Sequence, residues 1–357
     1  DEAVVDEGEK ENLDPSLFNF DKLKRQLKSV PLNEWIVGVI NVTSKFRKFQ
    51  SQLITEITTK GRKMTWNDTH EVLALTSIIV LTWPCPYNMF TSSEWKQIID
   101  TNPYKMKESI LAPISTSLYY TCSQIAIGLD YTLESNGDSE FDKKAYRIFN
   151  ILKDELPLVP KPKMTEDEHC CFYLHPLLKP FFCRSFKNYE VRLNKCVDNS
   201  LKRPDFSCRI DNITILNSEI KPSGYTPFQK NKDFVKINTR AKHSINQLLS
   251  KKGGPNYTMF LSNMGDKIDS FFMTLNHNGI YQAWPWLNTK LVMDRSSFPL
   301  MVLCMHHFSK LEEEIQIIAN DYESRPIYFT PTALNKYIRE EPTLPQLDNL
   351  LKNIYLY

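Results

Sequence analysis

The stretch KRPDFSCRIDNITILNSEIKP, residues 202–222, constrains the fold more than any other part of this sequence. Two runs of strand-forming residues flank Asp211 and Asn212, a pattern that predicts a β-hairpin. Strand side chains alternate between faces, so a register that opposes Asp205 and Glu219 gathers the polar groups on one face. The apolar side chains then share the other face: Phe206, Cys208, Ile210, Leu216 and Ile220. A shift of one residue would mix the two faces and bury a charge.

This register predicts which residues oppose each other near the turn. It pairs Cys208 with Leu216 and Ile210 with Thr214. The connection is then a three-residue turn over 211–213, or a bulge of equal effect.

The polar face carries three ionisable groups, Asp205, Glu219 and Lys221. Two neighbouring carboxylates repel each other unless a proton or a cation lies between them. Hard oxygen ligands in small number suit Mg²⁺ or Mn²⁺, which retain waters and accept phosphate oxygens. A lysine beside such a metal can orient a water molecule and balance phosphate charge. The pattern therefore indicates a site for phosphodiester hydrolysis.

The motif RPD, followed after 13 residues by EIK, resembles the PD-(D/E)xK signature of the restriction-endonuclease-like nuclease superfamily. The resemblance covers roughly residues 166–295, and within the superfamily the chain is similar to a group of fungal members. It implies that Asp205 and Glu219 are metal ligands and that Lys221 is catalytic. Many members add an acidic ligand on the preceding helix, and Glu168 resembles that residue, with Glu166 as the competing choice. A nuclease fold can also bind nucleic acid without cutting it.

The charge of the chain is unevenly distributed. The net charge is +2, but the segment from Arg184 to Lys252 holds 15 Lys and Arg against 6 Asp and Glu. A basic block of this kind indicates a polyanionic partner, although a solvated basic surface would have the same composition.

A long helix is predicted over about 229–251 within this block. Four basic residues on it are candidates for nucleic-acid binding: Lys232, Lys236, Arg240 and Lys242. In the superfamily the helix after the ExK strand flanks the active site, so the resemblance adds Gln247 as a candidate site residue. Apolar positions such as Val235 and Ala241 would dock this helix on the sheet.

The remaining chain divides into a helical part and a mixed part. The apolar run 72–83 predicts a buried helix, and helices are also predicted over 140–155, 166–182 and about 297–321. Strands are predicted near 189–196, 204–210 and 213–221. Three more follow within 257–286, where Asn278–Gly279 predicts a hairpin turn.

These elements predict an α+β protein with a helical N-terminal region. The resemblance implies that a restriction-endonuclease-like core follows, with a mixed central sheet flanked by helices. The predicted units are an acidic disordered tail (1–12), a helical region (13–155), a proline-containing linker (156–165), the nuclease-like domain (166–325) and a helical C-terminal tail (326–357).

The expected function is Mg²⁺- or Mn²⁺-dependent hydrolysis of nucleic acid, with DNA favoured over RNA. The alternatives are a nucleic-acid or chromatin-binding module without catalysis, and a protein-interaction scaffold that works through its helical region. No apolar run is long enough to span a bilayer. The eight cysteines follow no metal or disulfide spacing, so we expect an intracellular protein, nuclear rather than cytoplasmic.

Overall fold

The computed structural model describes residues 12–105, 114–133, 139–161, 163–183, 187–193, 204–326 and 333–339. Most of the predicted acidic tail, and residues 327–332 and 340–357 of the predicted C-terminal tail, lie outside these ranges. Within them the protein is α+β, as predicted, with a mixed sheet and flanking helices. None of the helices in these ranges combines the length and the apolar character needed to cross a bilayer.

The strands are β1 (Asn12–Leu13), β2 (Ile36–Val37), β3 (Ile40–Asn41), β4 (Met64–Thr65), β5 (Ile78–Val80), β6 (Glu190–Leu193), β7 (Phe206–Ile210), β8 (Ile213–Lys221), β9 (Tyr257–Met264), β10 (Lys267–His277) and β11 (Ile280–Lys290). The α-helices are α1 (Phe20–Lys28), α2 (Val42–Thr58), α3 (Thr69–Leu75), α4 (Ser92–Asp100), α5 (Ile114–Ala126), α6 (Glu140–Glu155), α7 (Glu166–His169), α8 (His175–Phe182), α9 (Pro227–Lys252) and α10 (Met301–Ser324). A π-helical turn, Cys170–Leu174, joins α7 to α8, and short 3₁₀ helices cover Pro15–Leu17, Phe298–Leu300 and Ala333–Tyr337.

Among the described residues the central sheet has seven strands, in the order β5-β11-β10-β9-β8-β7-β6. Neighbours pair antiparallel except at two places, where β8 pairs with β9 and β11 pairs with β5. Parallel neighbours need a long crossover connection. Helix α9 provides it between β8 and β9, and this crossover brings the basic helix against the strand that carries Glu219.

The β7–β8 hairpin has the predicted register over most of its length. Cys208 lies opposite Leu216, as predicted, but the next pair is Arg209 with Thr214. Ile215 is therefore an extra residue on β8, a bulge that shifts the pairing by one position. The bulge restores the predicted register for the rest of β8, so the polar residues that follow it on this strand share one face.

The turn itself differs from the favoured three-residue form. Ile210 pairs with Ile213 rather than with Thr214, so the connection is the two-residue turn Asp211–Asn212. Both turn residues have positive φ, 47° and 62°. Asp and Asn tolerate the left-handed region better than most residues, and such two-residue turns match the twist of a hairpin. The bulge on β8 compensates for the shorter turn. The sequence pattern allowed such a bulge as the alternative to a three-residue turn.

Helix α9 begins and ends at strong local signals. The side chain of Thr226 caps the Gln229 amide, the Gln229 side chain accepts from Thr226, and Pro227 occupies the first turn. At the other end Gly253 adopts φ 69°, and its amide donates to the Leu249 carbonyl. A glycine in this conformation ends a helix without steric cost. The helix thus runs slightly beyond both predicted ends.

The prediction of a buried helix over 72–83 is wrong from Thr76 onward. Helix α3 stops at Leu75, Ser77 has φ 65°, and Ile78–Val80 forms strand β5 beside β11. Three consecutive β-branched residues favour a strand, and a short apolar run buried on both sides does not reveal its period.

Strand β5 also joins the N-terminal region to the rest of the protein. It belongs to the same sheet as β6–β11, so the central sheet draws strands from both sides of the predicted linker at 156–165. The Lys242 ammonium of α9 donates to the Thr76 carbonyl at 2.8 Å and strengthens this connection. The region 13–155 is therefore not purely helical and supplies one edge of the sheet.

A buried histidine in the core predicts a pH-dependent stability. His307 of α10 contacts the hydroxyl of Ser270, and burial lowers its pKa to about 4. The unfolded chain takes up a proton near pH 6.5 while the folded chain does not, so this residue reduces stability as the pH falls from 6.5 towards 4. His307→Gln cannot take up a proton and keeps a partner for Ser270. As the pH falls from 7.5 to 4, the free energy of unfolding of the variant, measured with denaturant, should rise by about 3 kcal/mol relative to that of wild type.

His306→Gln is the matched control, because His306 is only half-buried. It should follow the wild-type stability much more closely. Parallel curves for wild type and His307→Gln across this range would contradict the interpretation.

Candidate functional site

The two faces of the β7–β8 hairpin pack against different helices. Phe206 on the apolar face contacts the ring of Phe182 of α8, with centroids 5.3 Å apart. The polar face lies under α9, whose Lys236 and Arg240 contact Glu219 of β8. Because β8 has strands on both sides, a side chain on its polar face is covered laterally by the sheet and from above by α9.

Three predicted site residues meet on this polar face. The Lys221 Nζ lies 4.0 Å from Asp205 Oδ2 and 3.9 Å from Glu219 Oε2. Asp205 Oδ2 also accepts a hydrogen bond of 2.6 Å from the Ile220 amide, which fixes the carboxylate at the edge of β8. The predicted placement of Asp205, Glu219 and Lys221 on one face is confirmed.

Glu219 is fully buried and surrounded by positive charge. Its Oε1 forms an ion pair of 2.7 Å with Lys236 and a second ion pair with Arg240. Its Oε2 has no hydrogen-bond partner among the described residues and lies 3.9 Å from the Lys221 ammonium. Asp233, one turn before Lys236 on α9, lies 3.7 Å from the Lys236 ammonium. Six charged side chains, Asp205, Glu219, Lys221, Asp233, Lys236 and Arg240, thus form one cluster, called here the β8–α9 cluster.

The pKa values of the cluster are strongly perturbed. Burial and then the negative charge of Glu219 raise the pKa of Asp205 to about 8, and the same two causes raise the pKa of Asp233. Burial lowers the pKa of Lys221 to about 8. Burial also acts to lower the pKa of Lys236, but Glu219 and Asp233 together raise it above its ordinary value. At neutral pH Asp205 therefore largely retains a proton, one of the two ways to relieve repulsion between carboxylates.

The structure gives the two acidic residues considered on α7 different contacts. Glu168 is the third residue of a capping box, and its carboxylate accepts from the Thr165 amide at 2.8 Å and from the Thr165 hydroxyl at 3.0 Å. Glu166, the competing choice, forms the ion pair with Lys221. Glu168 is occupied at the helix terminus, so Glu166 is the residue of α7 that joins the β8–α9 cluster.

The predicted nucleic-acid-binding role of Lys242 is also contradicted. Lys242 is fully buried, with its ammonium bonded to the Thr76 carbonyl and 4.9 Å from the centre of the Tyr281 ring. A charge in that position cannot reach a phosphate group.

The other two candidates on α9 lie outside the cluster. Lys232 places its ammonium 5.9 Å from the ring centres of Trp66 and Phe228, and burial lowers its pKa. Gln247 is half-buried about 10 Å further along α9 than Arg240. Within the described ranges no hydrogen bond links Gln247 to the cluster.

A cavity of about 550 Å³ lies elsewhere, beside the hairpin turn. Its walls include Arg209, Asp211, Lys252 and Tyr322. None of the predicted site residues lines it, so it is separate from the β8–α9 cluster.

The cluster could hold a cation through its carboxylates. Asp205 and Glu219 offer hard oxygen donors, and the buried Glu219 Oε2 has no hydrogen-bond partner in the described part of the chain. Across the same ranges no group of three or more His, Cys, Asp or Glu side chains is arranged as a metal site. A metal at Asp205 and Glu219 would therefore need water or substrate oxygens to complete its coordination.

No family model, curated protein or solved structure matches this chain.

Sequence reasoning did not foresee that Lys236 and Arg240 pair with Glu219, or that Asp233 belongs to the cluster. The spacing of these three residues of α9, three and then four positions, puts them on one helical face. Asp233 is an acidic residue on an otherwise basic face of α9. This pattern indicates that the face packs against charged residues of the sheet rather than facing solvent.

Replacing the partly exposed carboxylate of Asp205 and the buried carboxylate of Glu219 by amides should change stability in opposite directions in EDTA. Asp205→Asn keeps an acceptor for the Ile220 amide and removes an unfavourable charge, so the free energy of unfolding at pH 8 should rise by about 1–3 kcal/mol. Glu219→Gln leaves Lys236 and Arg240 without their carboxylate and should lower it by about 3–5 kcal/mol. Urea denaturation measures both. Equal losses in the two variants would contradict the charge assignment.

Proposed function

We propose that this chain is a divalent-metal-dependent nuclease of the restriction-endonuclease-like type, acting on DNA in preference to RNA. The observation that carries the proposal is the position of Lys221, with its ammonium 4.0 Å from Asp205 Oδ2 and 3.9 Å from Glu219 Oε2 on one face of the hairpin. Asp205 immediately precedes β7, and Glu219 and Lys221 lie on the neighbouring strand β8, which is the order of the PD-(D/E)xK signature. A long helix then crosses over to a parallel strand, which places further basic residues beside the motif.

Asp205 and Glu219 would hold the metal, Mg²⁺ or Mn²⁺. When bound, such a cation acts as a Lewis acid on the phosphate group and lowers the pKa of water. Two observations favour a cation here: the buried Glu219 Oε2 lacks a hydrogen-bond partner among the described residues, and burial, followed by the negative charge of Glu219, raises the pKa of Asp205.

Lys221 is the residue best placed to handle a proton or a phosphate charge. It is buried, which limits the conformations of its flexible stem, and Glu166 pairs with its ammonium. Glu166 would thus orient Lys221, and Lys221 would orient the attacking water and stabilise charge that develops on the phosphate. The carboxylates on either side keep the ammonium aimed at the face where substrate would lie.

One observation favours the second candidate, a nucleic-acid-binding module without catalysis. Lys236 and Arg240 already neutralise Glu219 Oε1, and a domain that never binds metal could keep this arrangement. A DNA substrate would fit a nuclear location under either candidate. Cleavage and metal binding separate the two.

Incubation with single- and double-stranded DNA and RNA, in Mg²⁺, Mn²⁺ or EDTA, tests the nuclease directly. Wild type should cut at least one DNA substrate with metal and none in EDTA. Lys221→Ala should reduce the rate by about 10²–10⁴-fold because it removes a proton-handling group. The same variant should still bind Mn²⁺ in calorimetry, since lysine is not a ligand, whereas Glu219→Gln should lose both cutting and metal binding. A wild-type chain that neither cuts any of the four substrates nor binds metal is not a nuclease.

The two acidic residues of α7 offer a matched pair. Glu166→Gln removes the charge that orients Lys221 and should slow cleavage by about 10–100-fold. Glu168→Gln should leave the rate unchanged, because glutamine also completes a capping box. Initial rates under identical conditions measure both effects, and thermal melts confirm folding. A loss confined to Glu168→Gln would reverse the assignment.

A further inference from the structure

The cations of α9 that lie nearest the proposed active site are not presented as a basic surface. The side chains of Lys236 and Arg240 are only 18% and 16% exposed, and both direct their charge to the same oxygen of Glu219. While they do so, their charge is largely neutralised and contributes little to an electrostatic surface for phosphate groups.

Glu219 is also the carboxylate that a divalent cation would use. Its other oxygen, Oε2, is buried without a hydrogen-bond partner in the described chain, so the residue has coordination capacity that the protein leaves unfilled. A cation carrying two charges at this carboxylate would repel the nearby Lys236 and Arg240. The carboxylate cannot fully neutralise all three positive groups at once.

We infer that Lys236 and Arg240 are a metal-gated phosphate-binding pair, held by Glu219 in the metal-free chain and released to the DNA backbone when a divalent cation takes Glu219. The inference rests on the proposed function, since it uses the proposed metal ligand. It adds a regulation of that site: metal binding increases the affinity of the same protein for its polyanionic substrate.

The two side chains have the chemistry for this exchange. The planar guanidinium of Arg240 can pair with a phosphate group as it does with a carboxylate, and Lys236 carries its charge on a long flexible stem. Both are partly exposed and lie on the α9 face that meets the cluster.

Binding of a labelled DNA duplex of about 20 base pairs, measured by fluorescence anisotropy over a range of salt concentrations, tests the gate. Each phosphate contact contributes about 0.9 to the slope of log affinity against log salt, so two released cations should steepen it by about 1.8. Wild type should show this steepening when Ca²⁺, a hard oxygen-binding cation, replaces EDTA. An unchanged wild-type slope overturns the inference, and this arm requires no variant to fold.

Variants in EDTA test the same gate without metal. Glu219→Gln should steepen the slope by about 1.8, because it releases both cations permanently. The triple variant Glu219→Gln, Lys236→Gln, Arg240→Gln should return to the wild-type slope. Glu166→Gln is the matched control: it removes the same charge, but its partner Lys221 keeps Asp205 Oδ2 at 4.0 Å and Glu219 Oε2 at 3.9 Å to balance its ammonium, so the slope should not change. A steep slope in the triple variant, or equal slopes in Glu219→Gln and Glu166→Gln, refutes the gate.

The failures of the two proposals are distinguishable. If the chain cuts DNA but the salt slope does not change, the nuclease proposal stands and the metal-gated phosphate-binding proposal is refuted. If the salt slope changes but no substrate is cut, metal-gated DNA binding stands and the nuclease proposal is refuted.

Discussion

The buried carboxylate of Glu219 is the interaction on which the arrangement of this protein depends. Removing an ionised carboxylate from water costs several kcal/mol unless positive charge and hydrogen bonds compensate. Here the compensation comes from Lys236 and Arg240, so the charge on β8 fixes the position of the helix that crosses above it. The same helix then extends to the N-terminal region, where Lys242 donates to the carbonyl of Thr76. Helix α9 thus contacts both the strand that carries Glu219 and the N-terminal region.

The β8–α9 cluster uses two means of tolerating carboxylates that lie close together. Glu219 is neutralised by cations, whereas the raised pKa of Asp205 favours its protonated form at neutral pH. Neither means is optimal for stability, since apolar residues of similar size would avoid the desolvation cost. Local arrangements that a stable fold does not require are concentrated at functional sites. This supports a role for the cluster in chemistry or in ligand binding rather than in folding alone.

The parts of the structure that follow from short-range patterns could be predicted from the sequence. Alternation along two strands was enough to oppose Cys208 to Leu216 and to gather Asp205, Glu219 and Lys221 on one face. The turn was less certain, because a two-residue turn with a bulge and a three-residue turn preserve the same faces. Long-range partners were out of reach: Lys242 looks like a surface lysine until the fold brings the carbonyl of Thr76 to it.

The different contacts of Glu168 and Glu166 follow from a local pattern that the sequence holds. Thr165 and Glu168 have the spacing of a capping box, which commits the glutamate to the start of a helix. Recognising that local hydrogen bond first would have left Glu166 as the residue available to the site. Local capping competes with function for the same side chains and should be assigned before roles in catalysis.

The pairing of β5 with β11 governs the order in which the protein can assemble. These strands are separated by roughly 200 residues, so their contact closes a very long loop and belongs to the slow class of folding events. During synthesis β5 leaves the ribosome long before β11, and its apolar side chains have no sheet to join. Conversely, a fragment that begins at the predicted linker would present β11 as an unpaired sheet edge, a template for association with other chains. The N-terminal region therefore also serves as a cover for that edge, which ties the solubility of the proposed nuclease half to residues that carry none of its chemistry.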